Sequence, residues 1–130
     1  MHTSNKPISF DTDIYLVDTF GETKSFLKLS KIAFMGKSIF AYGGQNPLEA
    51  ARFGAKILHG PHTENFKDVY RLLKSLKISK KIKTSNELAS SIKFKKNKNV
   101  GNKIKFIGEK ILKKTIRELD SIITDDIKKT

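Results

Sequence analysis

The stretch "YGGQNPLEAARFGAKILHGPH", Tyr42 to His62, decides the fold. It opens on two adjacent glycines, which mark a turn. Asn46 is a favoured helix N-cap and Pro47 suits the first helical position. A short run of small residues follows, and Gly54 can end the helix in a left-handed conformation. "AKILHG" then reads as a buried strand, closed by the Gly60-Pro61 turn. Loop, helix and strand thus follow one another within twenty-one residues, the grain of an alternating α/β chain.

The pattern continues on both sides. Residues 1–12 form an irregular lead-in. "DIYLV", Asp13 to Val17, reads as a buried strand. Thr19 and Glu22 then have the T-x-x-E spacing of a capping box, which predicts a helix through about Lys31. "KIAFMG" is the next strand, closed by Gly36, and "KSIFAYGGQN" a loop. Beyond the opening stretch, Phe66, Val69, Tyr70, Leu73 and Leu76 fall at helical spacing and predict an amphipathic helix over 65–77. "KKIKT" suggests a last short strand around Ile82. "SNELASSI" reads as a helix capped by Ser85 or Asn86, and "KFKKNKNVGNK" as a basic linker. From Ile104 the apolar positions Ile107, Ile111, Leu112, Ile116, Leu119 and Ile123 mark a long final helix. We therefore expect a Rossmann-like α/β domain over 13–95, with a parallel sheet covered by helices on both faces. Residues 96–130 would add the basic linker and the long C-terminal helix.

The chain has 130 residues, enough for one modest core, with 38% hydrophobic and 30% charged residues. Lys and Arg number 26 against 13 acids, a formal net charge of +13, yet only Arg52, Arg71 and Arg117 are arginines. Planar Arg forks are the usual tools of phosphate and base readout, so this balance argues against specific nucleic-acid recognition. It fits a generic solvated surface, one drawn to an anionic membrane, or one that reflects a biased genome. The absence of cysteine excludes disulfides, Cys-based metal sites and thiol nucleophiles. No apolar run approaches the ~18 residues of a membrane span, and the start lacks a signal-peptide core. A cytoplasmic location is expected.

In a parallel sheet, ligands sit beyond the carboxyl ends of the strands. Three loops would share that edge: "DTFGE", "YGGQN" and "HGPHTEN". Gly43 and Gly44 would let a backbone approach a ligand closely. Asn46 and Pro47 start a helix whose free N–H groups suit a phosphate. Glu49, in the first turn, is better placed to accept from a ribose diol than to face a phosphate. The same residues also read as ordinary helix-start and turn chemistry. His59 and His62 are read as turn residues at a site mouth rather than as metal ligands. Asp18 and Glu22 have the chemistry of an acid–base pair, and equally that of a turn residue and a capping acid.

Taken in order, "DTFGE", "GGQNPLE", "HGPH" and the nearby "NF" resemble the C-terminal half of the 3-deoxy-D-manno-octulosonic acid (Kdo) transferase family, over roughly residues 11–77. The resemblance implies the C-terminal, donor-binding domain of a GT-B glycosyltransferase of lipopolysaccharide core biosynthesis, truncated here. It implies transfer of Kdo from the donor substrate CMP-Kdo to a lipid A precursor, with no metal and no other cofactor. By position, Gly43, Gly44 and Asn46 would face the phosphate or Kdo. Glu49 would hold the ribose, and Thr19, Gly21 and Glu22 would line the donor side of the cleft.

The family's acceptor domain has no counterpart in these residues, and neither does its catalytic base. No catalytic residue is therefore assigned to this chain. We expect a gene fragment, a split-gene product, a mispredicted start or a truncated pseudogene, inactive alone and lying at the cytoplasmic face of the inner membrane; a split gene would bring in a separately encoded N-terminal half. Two alternatives stay open. One is the donor domain of another GT-B transferase or a related epimerase. The other is a small basic RNA- or membrane-binding protein using residues 74–114, which hold fourteen lysines against Glu87 and Glu109.

Overall fold

A computed structural model describes residues 7–40, 42–92 and 98–128. The chain runs through α1 (Thr23–Leu29), β1 (Ile32–Met35), α2 (Lys37–Phe40), α3 (Leu48–Arg52) and β2 (Lys56–His59). A 3-10 turn at Glu64–Phe66 leads into α4 (Lys67–Ser75), β3 (Ser79–Lys81), α5 (Ser85–Ser91) and α6 (Lys98–Lys128). The strands form one sheet in the order β1-β2-β3, with both pairs parallel. Ala33 lies opposite Ile57, which in turn lies opposite Ser79.

Successive strand residues point to opposite faces. Ile57 and Leu58 are both fully buried, so both faces of the central strand are covered, as a parallel sheet requires. On the face of Ile57 the core gathers Ala50, Ala51, Tyr70, Leu73, Ile78 and Ile104. The small residues of α3 let it lie close to the sheet while α6 crosses it: a Cβ on Gly101 would stand 2.4 Å from the Arg52 carbonyl oxygen. Burying a side chain such as Leu73 contributes about 2 kcal/mol, so this cluster is the principal glue of the domain.

α3 ends as its sequence predicts. Gly54 takes φ +81°; its N–H donates to the Ala51 carbonyl (3.0 Å), and the Ala55 N–H to that of Ala50 (3.2 Å). These are the two bonds of a Schellman motif. α4 closes the same way, through Lys77 N–H to Lys74 and Ile78 N–H to Leu73, but with Lys77 at φ 58° where glycine is usual. Phe66, Val69 and Leu76 pack beside the buried Tyr70 and Leu73, as their spacing predicts.

Four expectations need correction. Residues 13–17 form no strand: Ile14 and Leu16 are 87% and 54% exposed. Only the alternate residues Tyr15 and Val17 are partly covered, Tyr15 against the ring of Phe26 on α1 (6.1 Å). A β-prone run becomes a strand only beside a partner, and none of the described strands lies beside it. Thr19 and Glu22 do not make a capping box. The Thr19 hydroxyl bonds directly to the Glu22 carboxylate, and α1 begins after Glu22, which caps without a side-chain bond. The loop after β1 contains the short α2. Residues 98–103 of the supposed linker are the first turns of α6, whereas 93–97 and Ile123's side chain fall outside what is described. Two smaller shifts concern β3, which ends at Lys81 rather than centring on Ile82, and α5, whose N-cap is Thr84.

Candidate functional site

The parallel strands bring the loops after β1 and β2 to one edge of the sheet, and Ser38 ties them together. It is fully buried at the second position of α2. Its hydroxyl donates to the Met35 carbonyl and accepts the Gly60 N–H at 2.6 Å. Its carbonyl accepts the His62 N–H at 2.9 Å. Gly60 is required here because a Cβ would stand 2.3 Å from the Ser38 carbonyl oxygen. Sequence reading passed over Ser38, since a lone serine in a turn-rich run carries no signal.

The glycine pair sits against the second loop. Gly43 and Gly44 are buried, with φ +98° and +63°. A Cβ on Gly43 would meet the Asn65 side chain at 2.5 Å; one on Gly44 would meet the His62 carbonyl oxygen at 2.8 Å. The close approach that these glycines allow is therefore loop against loop. The Gly43 N–H donates to Glu64 Oε2 at 3.0 Å, and this bond holds the Glu64 carboxyl below its ordinary range, helped by His62. His62 Nδ1 lies 3.5 Å from the other Glu64 oxygen, and its ring faces Tyr42 at 5.0 Å. A carboxylate thus already occupies the backbone donor that the sequence assigned to a phosphate.

α3 starts one residue later than predicted, at Leu48 with Pro47 as its N-cap, yet Asn46 still serves the helix start. Asn46 Oδ1 accepts the Leu48 N–H at 3.0 Å, satisfying a free donor of the first helical turn. Glu49 turns the other way, toward α1 and α6. It pairs with Lys24 at 3.8 Å and lines a cavity of about 270 Å³ with Arg52, Phe53, Asn102 and Lys105. The pair is largely exposed and contributes little stability. It links α1, and so the segment holding Thr19, Gly21 and Glu22, to the first turn of α3. Gly21 has φ +87° and open space around it.

His59 is not a turn residue. It ends β2, is buried, and packs its ring 4.4 Å from that of Tyr70. Its Nδ1–H donates to the Gly60 carbonyl (2.7 Å), and burial pushes its pKa down, keeping the ring neutral. Tyr70 in turn donates its hydroxyl to the Gln45 carbonyl at 3.2 Å, and burial pushes its pKa up to about 12. The glycine turn is therefore anchored from α4 as well. Among the described residues, no group of three His, Asp or Glu side chains could hold a metal ion.

No protein-family model matches the chain. It is 37% identical over 101 residues, 78% of its length, to the 3-deoxy-D-manno-octulosonic acid transferase of Rickettsia typhi. Identity to the Haemophilus influenzae enzyme of that name is 37% over 71 residues, and to the Bordetella pertussis one 42% over 59, which are 55% and 45% of this chain. The chain belongs to the 3-deoxy-D-manno-octulosonic acid transferase family. It spans only 22%, 17% and 14% of those three Kdo transferases. The Rickettsia match at 101 residues is too long to rest on the loop motifs alone: it extends into the helices that carry them.

Proposed function

We propose that this chain supplies donor-binding elements of a Kdo transferase, a glycosyltransferase of lipopolysaccharide core biosynthesis. The reaction would move Kdo from CMP-Kdo to a lipid A precursor. What supports this is one conjunction: "GGQNPLE" and "HGPHTEN", in a chain homologous to Kdo transferases, meet at the carboxyl edge of a parallel sheet. On this reading CMP-Kdo binds along that edge. Gly43, Gly44 and the start of α3 at Asn46 lie by the phosphate, and Glu49 takes the ribose hydroxyls. Thr19, Gly21 and Glu22 border the sugar. An incoming phosphate would take the Gly43 N–H from Glu64, exchanging one anion for another at the same donor.

Because the chain spans about a fifth of its relatives, we place the base and the acceptor site outside these residues. The isolated chain is then expected to bind donor without transferring Kdo. No described helix is long and apolar enough to cross a membrane; the lysine surface would hold the protein at an anionic bilayer.

Isothermal titration with CMP and with UDP tests the reading. CMP is expected to bind and UDP to compete poorly. Equal binding would move the chain to another sugar-nucleotide enzyme, and binding of neither would remove the nucleotide reading altogether.

A further inference from the structure

α4 carries Lys67, Arg71 and Lys74 at i, i+4 and i+7, so their side chains share one face. With β3 they border a cavity of about 420 Å³. Alternation along β3 puts Ser79 and Lys81 on one face and Lys80 on the other. All three residues of β3 border the cavity beside His59 and Tyr70, while the Lys80 ammonium reaches Ser91 Oγ on α5 (2.8 Å). No carboxylate lines it among the described residues. Arg71 pairs with Asp68 on the exposed side of α4 (2.9 Å). Lys67, Lys74 and Lys81 have no ion-pair partner among the described residues.

A second, independent observation points to a ligand. Ser79 Oγ is buried and has no hydrogen-bond partner among the described residues. Buried hydroxyls in folded proteins are nearly always satisfied, and an orphan signals a missing partner. Here the hydroxyl belongs to a residue lining the same cavity as five cationic residues, Lys67, Arg71, Lys74, Lys80 and Lys81. A concentration of like charge around one cavity raises its attraction for an anion.

We propose that this cavity binds a phosphate group. The ammonium groups of Lys67, Lys74 and Lys81 neutralise its charge, the Arg71 guanidinium is shared between it and Asp68, and the Ser79 hydroxyl donates to one of its oxygens. Ammonium groups on flexible stems suit the tetrahedral spread of phosphate oxygens, each acting as a point charge. The site adjoins the Gly43–Glu49 edge through Tyr70, which lines the cavity and donates to the Gln45 carbonyl, but it does not rest on the transferase reading.

The test uses the full chain labelled with 15N and titrated with inorganic phosphate at constant ionic strength. Saturable amide shifts are expected at Lys67, Ser79 and Lys81, and the variant K74A/K81A is expected to weaken binding about tenfold. K110A/K113A, which removes the same charge from α6, is expected to leave the affinity unchanged. Vesicles of phosphatidylcholine with and without phosphatidylglycerol identify the source. Loss of vesicle binding in K74A/K81A assigns the site to a lipid phosphate; unchanged vesicle binding assigns it to a soluble one. Absence of saturable shifts, or equal loss in the two double variants, overturns the proposal. Circular dichroism of both variants confirms that the fold survives.

Discussion

Gly44→Ala separates the two reasons why a glycine stands in the turn. The first is conformational: at φ +63° an L-residue costs about 1–2 kcal/mol. The second is steric. The new Cβ would lie 2.8 Å from the His62 carbonyl oxygen and 3.3 Å from the Thr63 Cα. Both neighbours are backbone, so the loops must part. Overpacking of this kind costs about 1–3 kcal/mol, giving a total of roughly 2–5 kcal/mol. Gly21→Ala is the control. Its φ of +87° carries a comparable conformational cost, but nothing lies within 4 Å of its Cβ. Subtracting one loss from the other cancels the conformational part and leaves the steric one. Urea unfolding followed by circular dichroism measures both. Gly44→Ala should lose about 1–3 kcal/mol more than Gly21→Ala. Equal losses would refute the close packing of the two loops and return the glycine pair to simple turn chemistry.

Other substitutions probe the same framework. Ser38→Ala strands the buried Gly60 N–H and should cost about 1–3 kcal/mol in the same unfolding assay. Lys77→Gly relieves a left-handed lysine whose Schellman bonds any residue can make, and should stabilise by about 1 kcal/mol. Glu64 has a lowered pKa, so its tie to Gly43 is complete above the ordinary carboxylate range and lost as pH falls through the depressed value. Glu64→Gln should therefore abolish the acid-induced shift of the Gly43 amide in NMR spectra.

The parts of the fold legible in the sequence are those written locally. Asn46, Pro47 and Gly54 specify α3 through bonds to their own neighbours, and each forms. The helical spacing of Phe66 to Leu76 finds the face of α4 that meets the core. What failed depends on distant partners. "DIYLV" has strand composition, but no described strand pairs with it. The Thr19 and Glu22 side chains bond directly to each other, an arrangement that spacing alone does not distinguish from a capping box. α6 begins two turns early because Gly101 can touch α3, a contact that a lysine-rich run conceals.

The candidate site divides the same way. Its glycines and its helix start are visible as residue types, and the family motif fixes their order. Glu64, Ser38 and Tyr70 were missed because their roles come from contacts twenty-one or more residues away along the chain. The reverse also holds: Glu49, chosen for its place in the first turn, faces Lys24 and the start of α6. On the proposed reading, a nucleotide would reach both the glycine turn and Glu49 only by wrapping around the α3 N-terminus.

The most direct measurement is an amide map of CMP bound to the 15N-labelled chain. Donor binding at the sheet edge predicts saturable shifts at Gly43, Gly44, Asn46 and Glu49 and in residues 19–22, with Glu64 released from Gly43. Shifts absent from those positions, or confined to the cavity between α4 and β3, would contradict it.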